Sequence, residues 1–315
     1  MARVAVVGSG LIGRAWAITF ARAGHDVALW DQDREAPQRA IDFIAGVTPD
    51  LAANDLLRGT SPQDLLKRVR VEATLSTALA DADHVQENTF ERLDVKKAIF
   101  ADLDRLTPQS AVIASSSSAI LPSLFTEQLT HRHRCLVIHP INPPYLIPAA
   151  EVVPAPWTAP EIVRRARDFL VTAGQAPIVL KRELDGFIMN RMQGALLEEA
   201  FRLVADGFAS SEDVDIGIRE GLALRWSFMG PFETIDLNAP GGVRDYVERY
   251  QGMYSSLFAR MQRRVDWAAP VLTQIERERR AALPADNLTE RQGWRDRRLM
   301  ALAAHKHRAA SKIGA

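Results

Sequence analysis

The 315-residue sequence has very little cysteine, since Cys135 is the only one. One thiol cannot form an intrachain disulfide or a multi-thiolate metal site, so we expect no metal centre and a reducing, cytoplasmic environment. Charge of one sign is not in excess either, because 39 Lys and Arg residues balance 39 Asp and Glu residues. We therefore expect a small-molecule ligand, and neither nucleic acid nor a membrane as a partner.

Long hydrophobic runs are also missing. No apolar stretch approaches the roughly 18 residues of a membrane helix. The first strand-like run begins at Arg3, which predicts that no secretion signal precedes it. The hydrophobic content of 47% is nevertheless enough for a large core, and the length predicts two globular domains.

The first half of the sequence alternates short apolar runs with segments of helical periodicity. RVAVVG, SGLIGRAWAITFARAG and HDVALWD read as a strand, a helix and a second strand. Further strand candidates lie at residues 69–73, 84–87, 111–114, 135–138 and 177–181. This alternation predicts an α/β fold with a doubly wound, mostly parallel sheet. Helical segments dominate after it, so we predict a first domain over residues 1–182 and an all-α C-terminal domain over residues 183–315.

The first strand–helix junction, VVGSGLIGR, has the spacing G-x-G-x-x-G. Such glycines allow a tight turn and a close approach of the backbone to a pyrophosphate, while the helix N-terminus favours negative charge. Asp31 ends the second strand, where a carboxylate accepts hydrogen bonds from the adenosine ribose and repels the extra phosphate of NADP. We therefore predict a Rossmann-type domain that binds NAD. The residues expected to line the cofactor at this turn are Gly8, Gly10, Leu11, Ile12 and Gly13.

Polar residues follow two later strands. Four consecutive serines in IASSSSAI come at the carboxyl end of a strand, where open parallel sheets bind ligands, although some of them are expected only to form turns or helix caps. His139 has the equivalent place after the next strand. It opens HPINPPYLIPAAE, in which four prolines predict a stiff, non-helical loop with Glu151 at its other end. We interpret His139 and Glu151 as a functional pair.

The second domain opens with RELDGFIMNRMQGALLEEAF. Here Asp185 is predicted to cap a helix that carries Phe187 and Asn190 on one apolar face. An amide on such a face either bonds to another helix or serves the site, and periodicity alone leaves both interpretations open.

Taken together, these segments resemble the 3-hydroxyacyl-CoA dehydrogenase superfamily, most closely its λ-crystallin and L-gulonate 3-dehydrogenase branch. The similarity extends over nearly the whole chain and is most specific in GLALRWSFMGPFETIDLNAPGG and ERQGWRDRRLMALAAHK. The resemblance implies catalytic roles for Ser118, His139, Glu151 and Asn190. It also implies that Glu91, Lys96 and Asn142 contact the dinucleotide, and that the helical domain closes over substrate and forms a homodimer.

The chemistry implied is the oxidation of a secondary alcohol. Imidazole, with an ordinary pKa near 6.5, suits removal of the hydroxyl proton, and Glu151 would orient the ring of His139 and stabilise its charged form. Ser118 and Asn190 would donate hydrogen bonds to the substrate oxygen as it becomes a carbonyl. Asn190 is expected to enter this site from the second domain.

The substrate expected is a small free 3-hydroxy acid, oxidised to the 3-oxo acid. The CoA-using relatives implied by the resemblance hold CoA partly through a basic helical insertion after the second strand, whereas residues 31–66 here carry seven acids and three arginines. Arg225, just before GPFE, is the candidate for binding a free carboxylate, although a surface role for it is equally open. Two alternatives remain, a short-chain 3-hydroxyacyl-CoA dehydrogenase and a non-catalytic NAD-binding protein of the crystallin type.

Overall fold

The computed structural model of the protein describes residues 1–268 and 270–314. These residues form two compact units, one of residues 1–190 with 296–304, the other of residues 191–295 with the chain from residue 305 onward. The domain boundary expected after residue 182 stays a prediction. In the described ranges, no helix combines the length and the apolar character that crossing a membrane requires.

Within the described ranges the first unit contains a single sheet of eight strands. They are β1 (Arg3–Val7), β2 (Asp26–Trp30), β3 (Val69–Val71), β4 (His84–Glu87), β5 (Val112–Ser115), β6 (Cys135–Pro140), β7 (Ala149–Pro154) and β8 (Ala176–Val179). Their order across the sheet is β3-β2-β1-β4-β5-β6-β7-β8. The first six pair in parallel, whereas β7 runs antiparallel to β6 and parallel to β8. This topology confirms the predicted α/β class with its doubly wound, mostly parallel sheet.

The strands of the first unit are connected largely by helices. These are α1 (Leu11–Arg22), α2 (Ala36–Ala53), α3 (Pro62–Lys67), α4 (Leu75–Leu79), α5 (Leu93–Leu106), α6 (Pro122–Thr126) and α7 (Pro160–Thr172). After β8 the described chain is helical or irregular and confirms the predicted all-α segment. Its helices are α8 (Met189–Ala205), α9 (Ser211–Ile216), α10 (Ala223–Trp226), α11 (Pro231–Asp236), α12 (Gly242–Arg260), α13 (Pro270–Ala282) and α14 (Leu288–Ile313).

Two hydrophobic clusters cover the two faces of the sheet. One contains Trp16 and Phe20 of α1 together with Leu170 of α7. It also contains Met300 of α14, which belongs to the stretch that groups with the first unit. The other cluster contains Phe100 of α5. Because both faces are covered, the central strands are continuous apolar runs rather than alternating ones, as the sequence of β1 indicated.

Two local predictions were wrong. The segment from His139 to Glu151 is not one loop, because both ends lie in strands and the connection covers only residues 141–148. The helix expected to begin after Asp185 begins at Met189, and Phe187 lies in the turn before it with φ +48°. Proline content and apolar spacing describe the local chain, whereas β7 forms because its backbone bonds to β6 and β8.

Candidate active site

The glycine turn between β1 and α1 packs closely against the protein backbone on one side and is open on the other. Gly8 has φ +90°, and a Cβ atom there would lie 2.8 Å from the Asn88 carbonyl carbon. A Cβ on Gly13 would lie 1.8 Å from the Gly8 carbonyl oxygen, so helix and strand can pack only without a side chain. A Cβ on Gly10 would meet nothing within 4 Å. The turn is therefore closed toward the protein and open at Gly10, as the backbone approach of a pyrophosphate requires.

Asp31 lies at the end of β2 and is tied to this turn. Its Oδ2 accepts hydrogen bonds from the Ser9 amide at 2.7 Å and the Ser9 hydroxyl at 3.0 Å. Its Oδ1 accepts from the Asp33 amide at 3.0 Å. The carboxylate is only half-buried, so it remains open to a ribose hydroxyl while the amides hold its position.

Asn142, predicted to contact the dinucleotide, follows β6 in the connection to β7. Its Oδ1 is buried and has no hydrogen-bond partner among the described residues. A buried acceptor without a donor is costly, and the amide group of a nicotinamide would supply one. The glycine turn, Asp31 and Asn142 thus fit NAD.

Lys96 of α5 is almost fully buried, and its charge is neutralised inside the protein. Its Nζ donates to the two oxygens of Glu87 at 2.8 and 2.9 Å and to the Thr89 carbonyl at 3.0 Å. Glu87 also accepts from the Ser115 hydroxyl at 2.6 Å. This network joins the ends of β4 and β5 to α5. The dinucleotide contact expected of Lys96 stays a prediction, because all three of its N–H groups have protein partners here.

Glu91 holds the turn of the serine run. Its Oε1 accepts from the Ser117 hydroxyl at 2.7 Å and from the amides of Ser118 and Ala119 at 2.9 and 3.0 Å. Burial opposes ionisation of this carboxyl, but these hydrogen bonds and the nearby Lys96 charge hold its pKa below the ordinary value. Glu91 is therefore an anion whose contacts shape the turn.

The four serines differ in how far their hydroxyls are engaged. Ser115 donates to Glu87 at 2.6 Å, Ser116 to Asn88 at 2.7 Å and Ser117 to Glu91 at 2.7 Å. Ser118 is exposed, and its hydroxyl makes only a 3.5 Å contact with Glu91. Of the four, Ser118 has the hydroxyl that is open to a ligand.

His139 and Glu151 face each other across two antiparallel strands. They are register partners in the β6–β7 pair, and Nδ1 of His139 lies 2.7 Å from Oε2 of Glu151. The ring lies 5.6 Å from that of Phe187, measured between centroids. Because an ionised carboxylate only accepts, Nδ1 carries the proton and Nε2 is the basic nitrogen. Strand pairing, and not the proline connection, sets the separation of the pair.

The second oxygen of Glu151 is bound by backbone. Its Oε1 accepts from the amides of Ile188 and Met189 at 2.7 and 2.9 Å, where α8 begins. Burial opposes ionisation of Glu151, but the hydrogen bonds from His139 and from these two amides hold its pKa below the ordinary value. Sequence reasoning did not find these amides, because backbone donors leave no mark on residue type.

Asn190, in the first turn of α8, is brought to the serine turn. Its Nδ2 donates to the Ser118 carbonyl at 2.6 Å, which leaves one amide proton for another acceptor. Asn190 groups with the first compact unit, and the expectation that it enters the site from a second domain stays a prediction. Helix α8 is continuous, and only its first two residues, Met189 and Asn190, group with the first unit.

Arg225 lies in the last turn of α10, within the second unit. Its Nη1 lies 3.5 Å from Oδ1 of Asn238, a long contact between two side chains of the same unit. Its predicted role toward the substrate stays a prediction. In the described part of the chain, no group of three or more His, Cys, Asp or Glu side chains could hold a metal ion.

Comparison with known proteins places this geometry in a family. The family model of the 3-hydroxyacyl-CoA dehydrogenase NAD binding domain matches residues 3–183, and that of the C-terminal domain matches residues 186–274. The chain belongs to the 3-hydroxyacyl-CoA dehydrogenase family. As a member it is an NAD-dependent enzyme that oxidises a CH–OH group, and the predicted superfamily and cofactor are confirmed.

Three proteins that are similar to this chain carry different names. The λ-crystallin homologue of Bos taurus is 38% identical over 310 residues, which cover 96% of this chain and 95% of that protein. An L-carnitine dehydrogenase of Streptomyces griseus is 41% identical over 261 residues, 82% of this chain and 77% of that protein. The solved structure of 5-formyl-3-hydroxy-2-methylpyridine 4-carboxylic acid 5-dehydrogenase, an NAD+-dependent dismutase, is 28% identical, has a TM-score of 0.82 and covers 96% and 97% of the two chains.

Proposed function

We propose that this dehydrogenase oxidises a small free 3-hydroxy acid to the 3-oxo acid, in the manner of an L-gulonate 3-dehydrogenase. The observation that carries the chemistry is the buried His139–Glu151 pair at 2.7 Å. Ser118 and Asn190 meet at the end of β5, where the neighbouring β6 presents His139. Parallel strands that end together bring such side chains to one crevice.

Each residue has a distinct task in the proposed reaction. His139 takes the hydroxyl proton at Nε2, and ionised Glu151 keeps the proton on Nδ1 and stabilises the imidazolium that results. The Ser118 hydroxyl and the remaining amide proton of Asn190 donate to the substrate oxygen as the carbonyl forms. NAD, when bound, accepts the hydride. Gly8, Gly10, Leu11, Ile12, Gly13, Asp31, Glu91, Lys96 and Asn142 are proposed to hold it or to shape its site.

The preference for a free acid rests first on the segment after β2. Helices α2 and α3 occupy it, and residues 31–66 carry seven acids and three arginines. Arg39 is paired with Asp33 and Glu35, and Arg58 donates to the Gly174 carbonyl. This surface would repel the phosphates of CoA rather than attract them.

Arg225 is proposed to bind the substrate carboxylate. A guanidinium binds a carboxylate with two hydrogen bonds, and the L-carnitine dehydrogenases among the relatives are named for a free hydroxy acid. A charge-assisted contact contributes about 1.5–3 kcal/mol, so Arg225→Met should lower kcat/KM by about ten to over a hundredfold. The methyl ester of the substrate should be a poor substrate of the native enzyme and lose little further with the variant.

A panel assay tests the substrate class. Purified enzyme with NAD is given gulonate, carnitine, 3-hydroxybutyrate and 3-hydroxybutyryl-CoA, and NADH formation is followed. Arg219→Met is the matched control, since Arg219 is a half-exposed arginine of the same unit that pairs with Glu220 at 2.7 Å. Efficient turnover of the thioester alone would replace the proposal with a 3-hydroxyacyl-CoA dehydrogenase. NAD binding without turnover of any compound in the panel would contradict the proposed substrate class.

We also propose a homodimer formed through the helical unit, in the reducing cytoplasm that a single cysteine suits. In the described chain, none of the 19 residues of α12 is buried. Its exposed apolar side chains recur at helical spacing and include Tyr250, Met253, Leu257 and Phe258. An apolar face of this length is typical of a surface that a second copy covers.

A further inference from the structure

The turn between β8 and α8 has an unusual backbone. Gly186 has φ +74° and Phe187 has φ +48°. A left-handed conformation is ordinary for glycine but uncommon for other residues, and it is maintained only where the surroundings hold it. Phe187 is fully buried, and its ring packs on the imidazole of His139. The strained residue therefore lies directly against the catalytic pair.

The backbone that follows Phe187 supplies two hydrogen-bond donors to Glu151. The next two amides, of Ile188 and Met189, both point at Oε1 of Glu151, at 2.7 and 2.9 Å. They stand at the start of a 17-residue helix, where the dipole favours an anion. With Oε1 held by these amides, Oε2 faces Nδ1 of His139.

We propose that Phe187 is a positioning residue: its left-handed backbone turns the amides of Ile188 and Met189 onto Glu151, while its ring covers the imidazole of His139. The proposal builds on the assignment of His139 as the base. It adds that the amides at the start of α8 act on the His139–Glu151 pair through the carboxylate of Glu151.

The physical effect runs through the carboxylate. Two amide donors withdraw charge from Glu151, so the carboxylate holds the shared proton of the imidazolium less strongly than a carboxylate without them. Loss of one amide therefore makes Glu151 more basic and raises the apparent pKa of the pair. The enzyme then needs a higher pH to have its base free.

Other ionisable groups near the strand ends are unchanged by the test. Glu151 is the carboxylate that contacts the imidazole from β7. Asp185 lies exposed in the turn before α8. At the end of β4, Glu87 and Lys96 neutralise each other, and Glu91 is bound by the serine turn. Because the variants below leave all of these in place, a shift in the pH profile reports the amides.

Met189→Pro is the first test. Proline is favoured at the first position of a helix, so the substitution removes the Met189 N–H and keeps α8. We expect the acidic limb of the kcat/KM profile for alcohol oxidation to move up by about half to one pH unit. The substrate is whichever compound the native enzyme oxidises best, so a wrong substrate assignment does not affect the result. If kcat/KM falls but the acidic limb of its pH profile stays at the same pH, the proposal is wrong.

Phe187→Ile and Phe187→Leu form a matched pair. Both replace the ring with a four-carbon side chain, but the β-branched isoleucine tolerates φ near +50° much less well than leucine. We expect kcat of the isoleucine variant to be lower than that of the leucine variant by about tenfold or more, because a 1 Å misplacement of catalytic groups can cost that much. Equal kcat values would show that the backbone conformation of Phe187 does not matter.

Two control variants distinguish the positioning role of Phe187 from the role of His139 as the base. Phe208→Ile alters a phenylalanine that is 77% exposed in the second unit. It should change neither kcat nor the pH of the acidic limb of the kcat/KM profile. If His139→Gln keeps near-normal turnover, the proposed function fails instead, because His139 is then not the base. If Met189→Pro does not fold, the kcat values of the two Phe187 variants decide. If a Phe187 variant does not fold, the pH profile of Met189→Pro decides.

Discussion

At the scale of single residues, the imidazole of His139 is the group on which the chemistry depends. It is 6% exposed, which leaves little surface beyond the side that a substrate would meet. Its Nδ1 is occupied by Glu151, so one nitrogen is committed to orientation and the other to proton transfer. This division of tasks makes the effect of removing the ring predictable.

His139→Gln should lower kcat by about 10² to 10⁴, the usual contribution of general acid–base catalysis, because glutamine cannot take up a proton. The dissociation constant of NADH should stay nearly unchanged, since His139 is not among the residues proposed to hold the dinucleotide. Stopped-flow turnover and NADH fluorescence titration measure the two quantities. His133→Gln is the control, because His133 is exposed and lies before β6. Near-normal turnover of His139→Gln would make this histidine structural.

Asp31 should make the enzyme strongly prefer NAD to NADP, by about a hundredfold or more in kcat/KM, because its carboxylate repels the extra phosphate. Asp31→Ser should lower the ratio of kcat/KM with NAD to kcat/KM with NADP, because it removes that charge. Ser9→Ala is the matched control, since it removes only the 3.0 Å hydroxyl contact and keeps the carboxylate. Comparable kcat/KM values of the native enzyme with the two cofactors would contradict the role of Asp31.

At the scale of secondary structure elements, β4 combines a buried histidine with the carboxylate that pairs Lys96. His84 is 2% exposed, stacks on Phe169 with ring centroids 4.4 Å apart, and bonds to Gln86 at 3.1 Å. Burial lowers the pKa of His84 from 6.5 to about 4. The strand therefore carries a neutral imidazole that must gain a proton when the protein unfolds in acid.

This imidazole predicts a loss of stability in mild acid. Because the pKa of His84 is lower in the folded protein, its contribution is complete above pH 6.5 and is lost as the pH falls toward 4. Between pH 7.5 and pH 5 the free energy of unfolding should fall by about 2 kcal/mol more than in His84→Phe. Urea denaturation at the two pH values measures this difference. Equal falls in the two proteins would show that His84 does not titrate on unfolding.

The first turn of helix α8 contacts the proposed catalytic residues. Asn190 donates to the Ser118 carbonyl and the amide of Met189 donates to Glu151, so two consecutive residues bind two of the proposed catalytic residues. The helix continues into the second unit beyond Asn190. The first turn is thus part of the site, while the rest of the helix builds the other unit.

At the scale of the whole molecule, the exposed apolar face of α12 predicts association. Multi-angle light scattering at micromolar concentration should give twice the mass of one chain, which is 34.9 kDa. Leu257→Glu should yield a monomer, because it places a charge in the proposed interface, where Leu257 is now 41% exposed. Val171→Glu is the control, on an apolar residue of the first unit that is 55% exposed. A monomeric native protein would remove the dimer proposal.

The sequence by itself determined the features that depend on local pattern. The α/β class, the NAD cofactor and the all-helical second part follow from apolar runs, from glycine spacing and from one acid at a strand end, all of which act within a few tens of residues. His139, Glu151, Ser118 and Asn190 were also selected from the sequence, through the family resemblance, and the structure brings them into two bonded pairs.

Only the tertiary structure decided how these residues meet. Strand β7 was missed because its pairing with β6 is long-range, and that pairing, not the prolines, places Glu151 opposite His139. Ser118 is distinguished from its three neighbours only by the partners that the end of β4 and the loop after it supply to those neighbours. The two amides that bind Glu151 directly follow Phe187, whose left-handed backbone is visible only in the folded chain. Hydrogen bonds between distant segments have no periodicity along the chain, so no local pattern could have predicted them.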